Sequence, residues 1–248
     1  MKFGKGQSEV EINIASRAAL FQAVKDRFAQ NRGFALATLN LDHLVKLPDD
    51  PAFTAAYRAH DLVVADGRPV GWLARLADQR LDVLPGSDLV LPLADLAAQS
   101  GVSVALVGSS DAALAGAKVA MQARVPNLDI VLCHSPAYGF DPHGGEAAAI
   151  CDKLAESGAR LCFLALGAPK QELFAAYARA QCPAVGFASI GAGLDFLSGH
   201  QVRAPKIMRL LALEWLWRAA QSPRRMVPRY AKCFAVLPRL TVQALRQR

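Results

Sequence analysis

The sequence predicts an α/β protein: a mostly parallel, Rossmann-like sheet with helices on both faces, followed by a basic amphipathic helical appendage. Two patterns predict the sheet, because short apolar runs alternate with Ala-rich helical stretches and the runs are almost continuously apolar. A third observation predicts the appendage, since the excess of positive charge is confined to residues 203–248. We therefore divide the chain into an α/β domain, residues 1–202, and an appendage, residues 203–248.

Six apolar runs are the predicted strands. Continuously apolar runs suit a sheet that is buried on both faces. Alternation with helices implies βαβ units, right-handed crossovers and hence a parallel sheet. The predicted strands cover residues 34–41, 61–66, 102–107, 128–133, 160–166 and 184–190, and helical stretches cover residues 87–99, 111–124, 145–156 and 170–181. Ser109, Ser110 and Asp111 offer N-cap side chains to the second of these helices.

The appendage carries nine Arg and two Lys against one acidic residue, Glu214, so its net charge is +10. The whole chain is +7, so residues 1–202 are −3. Apolar residues between the arginines suit a surface that is both anionic and apolar, such as a lipid headgroup layer. The alternative is a helical end with a solvated basic face.

Aromatic residues and prolines add two expectations for the appendage. Trp215 and Trp217 suit an interfacial position, although core packing explains Trp215 equally well. Pro223, Pro228 and Pro238 are expected to break the appendage into short helices rather than one rod. Such a segment could be mobile and become ordered on its ligand.

Composition limits the class of protein. A hydrophobic content of 53% with 20% charged residues indicates an ordered globule, and no run reaches the ~18 apolar residues of a spanning helix. The first residues lack the apolar segment of a secretory signal, so we expect a cytoplasmic protein. The cysteines lack zinc spacing and are expected to be reduced, buried thiols: Cys133, Cys151, Cys162, Cys182 and Cys233.

Polar and small residues gather in the loops that follow the predicted strands. Ligands of such sheets bind beyond the carboxyl ends of the strands. Gly108, Gly167 and Gly191 let the backbone approach a ligand, and helix N-termini offer N–H groups to phosphate. Gly108 and Ser109 could cradle a phosphate or form an ordinary turn. Because neither the G-x-G-x-x-G nor the Walker A pattern is present, dinucleotide and ATP binding are disfavoured.

Asp66 is the candidate general base at this edge, because it directly follows the apolar run LVVA and precedes Gly67. Partial burial would raise its pKa toward a useful value. The alternative is a turn residue that caps the next helix. His43 could be the base instead, although a single loop histidine more often forms only local hydrogen bonds.

Taken together, the motifs resemble the WecG/TagA/CpsF glycosyltransferases. The resemblance rests on TLNLDHL, ADGRPVGWLARL, PGSDL, VGSS, GAPKQE, GAGLDFLSGHQVRAP, LEWLWR and PRRMVPRY, in this order, over residues 13–230. Within the family the chain resembles the GumM-like exopolysaccharide enzymes. The resemblance implies an inverting, metal-independent transferase that moves a sugar from a UDP-sugar to a polyprenyl-diphosphate-linked glycan, with no cofactor. It also implies a peripheral location on the cytoplasmic face of the bacterial inner membrane.

The resemblance also assigns site residues. It implies that Asp66 is the base and that Thr38, Asn40 and Gln171 lie beside the reacting sugars. The nucleotide-sugar site is expected to comprise Gly108, Ser109, Gly167, Lys170, Glu172, Gly191 and Asp195. Five appendage arginines are expected to close over the site and hold diphosphate, namely Arg203, Arg218, Arg224, Arg225 and Arg229. The sequence has no D-x-D motif for a divalent ion.

One position departs from the family pattern. Many members carry an arginine where this chain has Val83, and Arg75 or Arg80 could reach the same region. Three other interpretations stay open: nucleic-acid binding through the appendage, hydride transfer, and a non-catalytic scaffold docked on a membrane. The acidic charge of residues 1–202 and the absence of a nucleic-acid-binding motif disfavour the first. The sequence leaves the donor sugar, the acceptor and the oligomeric state open.

Overall fold

The structure is a computed structural model that describes residues 1–4, 6, 9–205, 207–208 and 213–248. The strands are β1 Lys2–Phe3, β2 Val10–Glu11, β3 Phe34–Leu39, β4 Leu62–Ala65, β5 Val104–Gly108, β6 Ile130–His134, β7 Leu161–Ala165 and β8 Gly186–Ser189. The helices are α1 Arg17–Ala29, α2 Leu41–Lys46, α3 Pro51–Ala59, α4 Arg68–Leu76, α5 Gly86–Gln99, α6 Asp111–Arg124, α7 Gly145–Ser157, α8 Lys170–Gln181, α9 Gly193–Ser198, α10 Glu214–Gln221 and α11 Pro223–Leu245.

Six strands form one parallel sheet in the order β4-β3-β8-β7-β5-β6. This confirms the predicted α/β class. Every predicted strand is present, with ends that differ by one or two residues. The first strand ends two residues early because Asn40 is the N-cap of α2, where its side chain accepts a hydrogen bond from the backbone N–H of His43.

Alternate residues of each strand point to opposite faces of the sheet, which is why the runs are apolar throughout. On β5, Val104 and Leu106 pack in a cluster with α1, α5 and α6. Ala105 and Val107 instead pack in a cluster with α7 and α8. Helices therefore cover both faces, and the four predicted helical stretches correspond to α5 to α8.

The edge strand β6 corrects one expectation about the cysteines. Cys151, Cys162, Cys182 and Cys233 are buried and all five cysteines are free, but Cys133 is exposed. Because β6 pairs on one side only, Val131 and Cys133 face outward. The prediction of a buried thiol at Cys133 is therefore wrong.

The prolines of the appendage do not break it as expected. Pro223 stands in the first turn of α11, where its missing N–H costs nothing, but Pro228 and Pro238 lie inside this 23-residue helix. One face of the helix is buried along its length, through Met226, Cys233 and Leu240. Packing of that face is the physical reason that the helix continues through two prolines.

Helix α11 joins the appendage to the α/β part. It packs against α2 and α4, and Leu240 and Ala244 lie in a hydrophobic cluster with Leu39 and Ala65 of the sheet. Residues 206 and 209–212 of the predicted appendage lie outside the described residues. Within the part that the structure describes, no helix is long and apolar enough to cross a bilayer.

Candidate active site

A wide cleft of about 2480 Å³ lies at the carboxyl edge of the sheet, with α10 and α11 along its rim. Loops that follow β3, β4, β7 and β8 line it, as the strand-end argument predicts. Most of the predicted site residues line this one cleft: Thr38, Asn40, Asp66, Gly167, Gln171, Gly191, Asp195, Arg203, Arg218, Arg225 and Arg229.

Five predicted site residues do not line the cleft: Gly108, Ser109, Lys170, Glu172 and Arg224. Gly108 has a packing reason, because a Cβ there would lie 2.5 Å from the backbone of Ala165. Ser109 is connected to the cleft through Asp195, because its hydroxyl donates a hydrogen bond to the carboxylate of that cleft-lining residue. Lys170 is the half-buried first residue of α8, and Arg224 is exposed on α11.

Asp66 stands at the end of β4, where its backbone N–H donates to the carbonyl of Leu39 over 2.8 Å. Asn40 Nδ2 donates to Asp66 Oδ2 over 3.3 Å. Burial raises the pKa of Asp66 to about 6, although the Asn40 hydrogen bond and the Arg218 charge act in the opposite direction. A carboxyl group with this pKa is ionised near neutral pH and still basic enough to take a proton.

The capping alternative for Asp66 receives no support. The N-cap of α4 is Gly67, which has a φ of +81° and no side chain to form a cap hydrogen bond. Asp66 carries its carboxylate toward the cleft that it lines instead.

Asn40 connects Asp66 to a buried pair behind it. Its Oδ1 accepts from the backbone N–H of His43 over 3.1 Å, which fixes the orientation of the amide. Asn40 Nδ2 also lies 3.4 Å from His43 Nε2. Since the amide nitrogen can only donate, Nε2 accepts and the ring proton is at Nδ1, which donates to Tyr57 Oη over 2.6 Å.

His43 is therefore placed to hold Asn40 and Tyr57 by hydrogen bonds. Burial lowers the pKa of His43 to about 3, so the ring stays neutral. It also packs edge-on against Phe53 and Tyr57. The structure favours the local hydrogen-bonding interpretation of this histidine.

Gln171 links β7 and β8 at the floor of the cleft. Its Oε1 accepts from the N–H of Gly191 over 3.1 Å, and its Nε2 donates to Glu172 Oε1 over 2.8 Å. Glu172 is fully buried, and burial raises its pKa to about 7. Glu172 thus lies behind Gln171 and orients its amide, rather than facing the cleft.

Three of the predicted arginines form ion pairs with acids of the cleft. Arg203 Nη1 lies 2.6 Å from Asp88, Arg218 Nη2 lies 2.6 Å from Glu214, and Arg229 Nε lies 2.9 Å from Asp42. Both Arg203 and Arg218 also lie over the ring of Phe196, at 5.9 and 5.3 Å from its centroid. The arginines are thereby held along the rim of the cleft.

Arg225 differs from these three. It is exposed, lines the cleft, and makes no ion pair with any residue that the structure describes. It is available for an anionic ligand without the loss of an existing contact.

Val83 lines the cleft and bridges to Ala65. Arg75 and Arg80 line a separate depression with Ser16 and Asp82, and neither of them lines the cleft. The expectation that one of these arginines serves the region of Val83 receives no support from this lining.

Sequence reasoning missed the residues that act through a partner: Tyr57, Asp88, Phe196 and Glu214. Tyr57, Asp88 and Phe196 contact site residues from other elements, which no local pattern indicates. Glu214 instead pairs with Arg218 in the same helix, and their spacing of four residues was a usable signal. Trp72, a cleft-lining tryptophan on α4, was also missed, although its place shortly after Asp66 was a usable signal. Among the described residues no three His, Cys, Asp or Glu side chains are grouped to hold a metal ion.

The fold and the cleft define an α/β enzyme that binds its ligand at the carboxyl edge of a parallel sheet. The family model described as "Glycosyl transferase WecG/TagA/CpsF family" matches residues 8–248, nearly the whole chain. The chain belongs to this family, and its activity is glycosyl transfer.

Proposed function

We propose that the protein transfers a sugar, with inversion, from a UDP-sugar to a hydroxyl group of a polyprenyl-diphosphate-linked glycan. The product would serve bacterial exopolysaccharide or another cell-surface polysaccharide. The observation that carries the proposal is Asp66: a carboxyl group with a pKa of about 6, in a cleft whose rim carries arginines from the appendage. Family membership supports glycosyl transfer in general, and the donor, acceptor and stereochemistry are proposals.

The proposed reaction is a single displacement. Asp66 takes the proton of the acceptor hydroxyl as its oxygen attacks the anomeric carbon of the donor sugar. The bond from that carbon to the diphosphate oxygen breaks, and UDP leaves with the bonding electrons. Attack opposite the leaving group inverts the anomeric centre. Thr38, Asn40 and Gln171 line the cleft around Asp66 and would hold the two sugars.

The leaving diphosphate needs compensating positive charge. Arg225 lines the cleft unpaired among the described residues, and Arg203, Arg218 and Arg229 lie on the same rim. Guanidinium groups bind diphosphate oxygens bidentately and would stabilise the charge that develops on UDP. We infer from these cations that the reaction proceeds without a divalent metal ion.

The appendage would dock the enzyme on the cytoplasmic face of the inner membrane. Its described residues expose large apolar side chains beside the basic ones: Trp215, Leu216, Val227 and Phe234. Trp215 stacks edge-on against Tyr230 and Phe234, which makes these aromatic rings one surface. An apolar surface with interleaved arginines suits the interface of an anionic bilayer. The lipid-linked acceptor would enter the cleft from this side.

The test compares wild-type protein with Asp66→Asn. Calorimetry with UDP, and with NAD and single-stranded DNA as controls, measures binding, and transfer from a panel of UDP-sugars to prenyl-diphosphate-linked sugars measures turnover. We expect both proteins to bind UDP and Asp66→Asn to lose about 10²–10⁴-fold in turnover.

Three results would contradict the proposal. Wild-type protein that binds DNA but not UDP would make the appendage a nucleic-acid-binding element. Full turnover by Asp66→Asn would exclude Asp66 as the base. A protein that binds UDP and transfers no sugar from any donor would support a non-catalytic role.

A further inference from the structure

Trp72 is a large aromatic side chain in the cleft that the reaction proposed above does not use. It lies on α4 and is 49% exposed, whereas Val70, Leu73 and Ala74 of the same helix are buried. It lines the cleft together with Arg68, four residues before it and on the same face of the helix.

The three tryptophans differ in what holds them. Trp215 packs against Tyr230 and Phe234, and Trp217 donates its indole N–H to the carbonyl of Val202 over 3.2 Å. Trp72 has no ring contact and no hydrogen bond with any residue that the structure describes. Its half-exposed side chain lines the cleft, and its indole N–H has no partner among the described residues.

The sheet order places Asp66 and Trp72 at the same end of the cleft. Asp66 and α4 follow β4, the edge strand, whereas Asp195 lies on α9 after β8, two strands away, and hydrogen-bonds to Ser109 after β5, four strands away. At about 4.8 Å per strand Asp195 therefore lies roughly 10–19 Å across the sheet from Asp66. A nucleotide bound near Asp195 therefore leaves the β4 end to the acceptor.

The appendage lies at the same end as Trp72. Helix α11 packs against α4 and α2, and it is the helix that carries Arg225 and Arg229. A lipid-linked acceptor that reaches the cleft along α11 passes α4 before it reaches Asp66. From the start of α4 at Arg68 to Trp72 the helix rises about 6 Å, which is within the reach of a sugar whose hydroxyl is at Asp66.

We propose that Trp72 is the platform on which a sugar ring of the acceptor stacks. The apolar C–H face of a pyranose packs on an indole ring, and the indole N–H can donate to a ring hydroxyl. Such a contact would bind the acceptor beside Asp66, equally in the ground state and in the transition state, and select acceptors by the shape of that sugar face. This inference rests on the proposed function, because it assumes a glycan acceptor.

The experiment uses the full chain with acceptors soluble in water: one glucose or one N-acetylglucosamine on a diphosphate with a short prenyl chain. Trp72→Leu keeps an apolar side chain but removes the flat ring. We expect the acceptor KM to rise about tenfold, with kcat and donor KM nearly unchanged. Trp72→Phe keeps a ring and should recover most of the loss.

The matched control is Tyr138→Leu, which removes a fully exposed aromatic ring outside the cleft. We expect this variant to keep the wild-type acceptor KM. Thermal unfolding of every variant checks that the fold is intact. In a protein in which Trp215 and Trp217 are replaced by Phe, quenching of Trp72 fluorescence by the soluble acceptor measures the contact directly, without turnover.

The outcomes separate this inference from the proposed function. If wild-type protein transfers no sugar to either acceptor, the proposed function fails. If the wild-type protein transfers sugar but Trp72→Leu keeps the wild-type acceptor KM, the proposal that Trp72 stacks on the acceptor is contradicted. A rise in donor KM alone would place Trp72 beside the nucleotide sugar. Weaker binding to anionic vesicles with an unchanged acceptor KM would make Trp72 a membrane anchor, which also overturns the platform.

Discussion

The carboxyl groups of Asp66 and Glu172 both have pKa values raised by burial, but they occupy different positions relative to the cleft. Burial raises the pKa of Asp66 to about 6 and that of Glu172 to about 7. Only Asp66 lines the cleft, and Glu172 is enclosed behind Gln171. Titration of either group should change the free energy of unfolding, but only that of Asp66, the proposed base, should also change proton transfer to the enzyme.

The pH dependence of activity tests the role of Asp66. We expect kcat/KM to rise with pH through about 6, as Asp66 loses its proton. The Arg218 charge favours the carboxylate, so Arg218→Ala should raise the pKa of Asp66 and move the acid limb to higher pH.

Arg218→Lys retains the charge and is the control for this shift. The profile is measured as kcat/KM between pH 5 and 9 with a soluble acceptor. An acid limb at the same or lower pH in Arg218→Ala would contradict the assigned interaction.

The titration of Glu172 predicts a change in stability. Its pKa in the folded protein is about 7, above the ordinary value of 4.5, so the folded state holds a proton that the unfolded state releases. The free energy of unfolding should therefore fall as pH rises from about 4.5 to about 7, by up to about 3 kcal/mol from this group.

Glu172→Gln removes that titration and should show a smaller fall over the same pH range. Urea unfolding at several pH values measures it, and Glu156→Gln, a change on the outer side of α7, serves as the control. Equal pH dependence in wild type and Glu172→Gln would mean that Glu172 is already ionised in the folded protein.

The sequence predicted a site residue where the end of a strand fixes the position of that residue in the sheet. Asp66 was found because it directly follows an apolar run and the carboxyl ends of parallel strands share one edge. Asn40 lay inside the predicted strand 34–41, and its site role came from the family resemblance. Tyr57 and Asp88 were not found, because their contacts with His43 and Arg203 join different elements: Tyr57 reaches His43 across the turn between α2 and α3, and Asp88 pairs with Arg203, which is distant in the chain. Local patterns contain no information on such pairs.

At the scale of elements, α11 shows where tertiary packing outweighs local preference. A proline inside a helix removes a hydrogen bond and crowds the preceding turn. The sequence therefore favours breaks at Pro228 and Pro238, yet the helix continues because its buried face packs on α2 and α4. The strands, in contrast, were predicted well because burial on both faces leaves a clear apolar signal.

The packing of α11 predicts which of its side chains contribute to the free energy of unfolding. Leu240 is almost fully buried in the cluster formed by α11, the sheet and α4, so Leu240→Ala should lower the free energy of unfolding by about 2–5 kcal/mol. Val242→Ala, on the exposed face of the same helix, should change it little. Urea unfolding compares the two variants, and equal effects would contradict the packing.

The same contacts decide how the appendage should be studied. A chain ending at Val202 would lose Leu240 and Ala244 from a shared cluster and would destabilise the α/β part. Loss of UDP binding in such a chain could not be assigned to the arginines. Point variants of Arg203, Arg218 and Arg225 test the arginines without removing the helix.

At the scale of the whole molecule, the division of charge predicts membrane behaviour. Residues 203–248 are +10 and residues 1–202 are −3. We expect the protein to sediment with vesicles that contain anionic lipid and not with neutral ones, because basic residues near such a surface contribute about 1 kcal/mol each. Binding should weaken as salt screens the charges.

Arg224→Glu reverses an exposed charge outside the cleft and should weaken this vesicle binding severalfold. Lys25→Glu, an equal reversal on α1, is the control. Equal binding to neutral and anionic vesicles would remove the electrostatic part of the docking proposal.

The ion pairs along the rim have a consequence for the catalytic cycle. Asp42, Asp88 and Glu214 already occupy the guanidinium groups that a diphosphate would seek. If the donor is a UDP-sugar, as proposed above, it must exchange with these carboxylates, and after transfer the carboxylates can compete with UDP for the same groups. Built-in competitors of this kind lower the affinity for substrate and product alike and thereby shorten the time that spent nucleotide remains bound. Turnover in such a cleft depends on the rate of product release as well as on the affinity for the substrate.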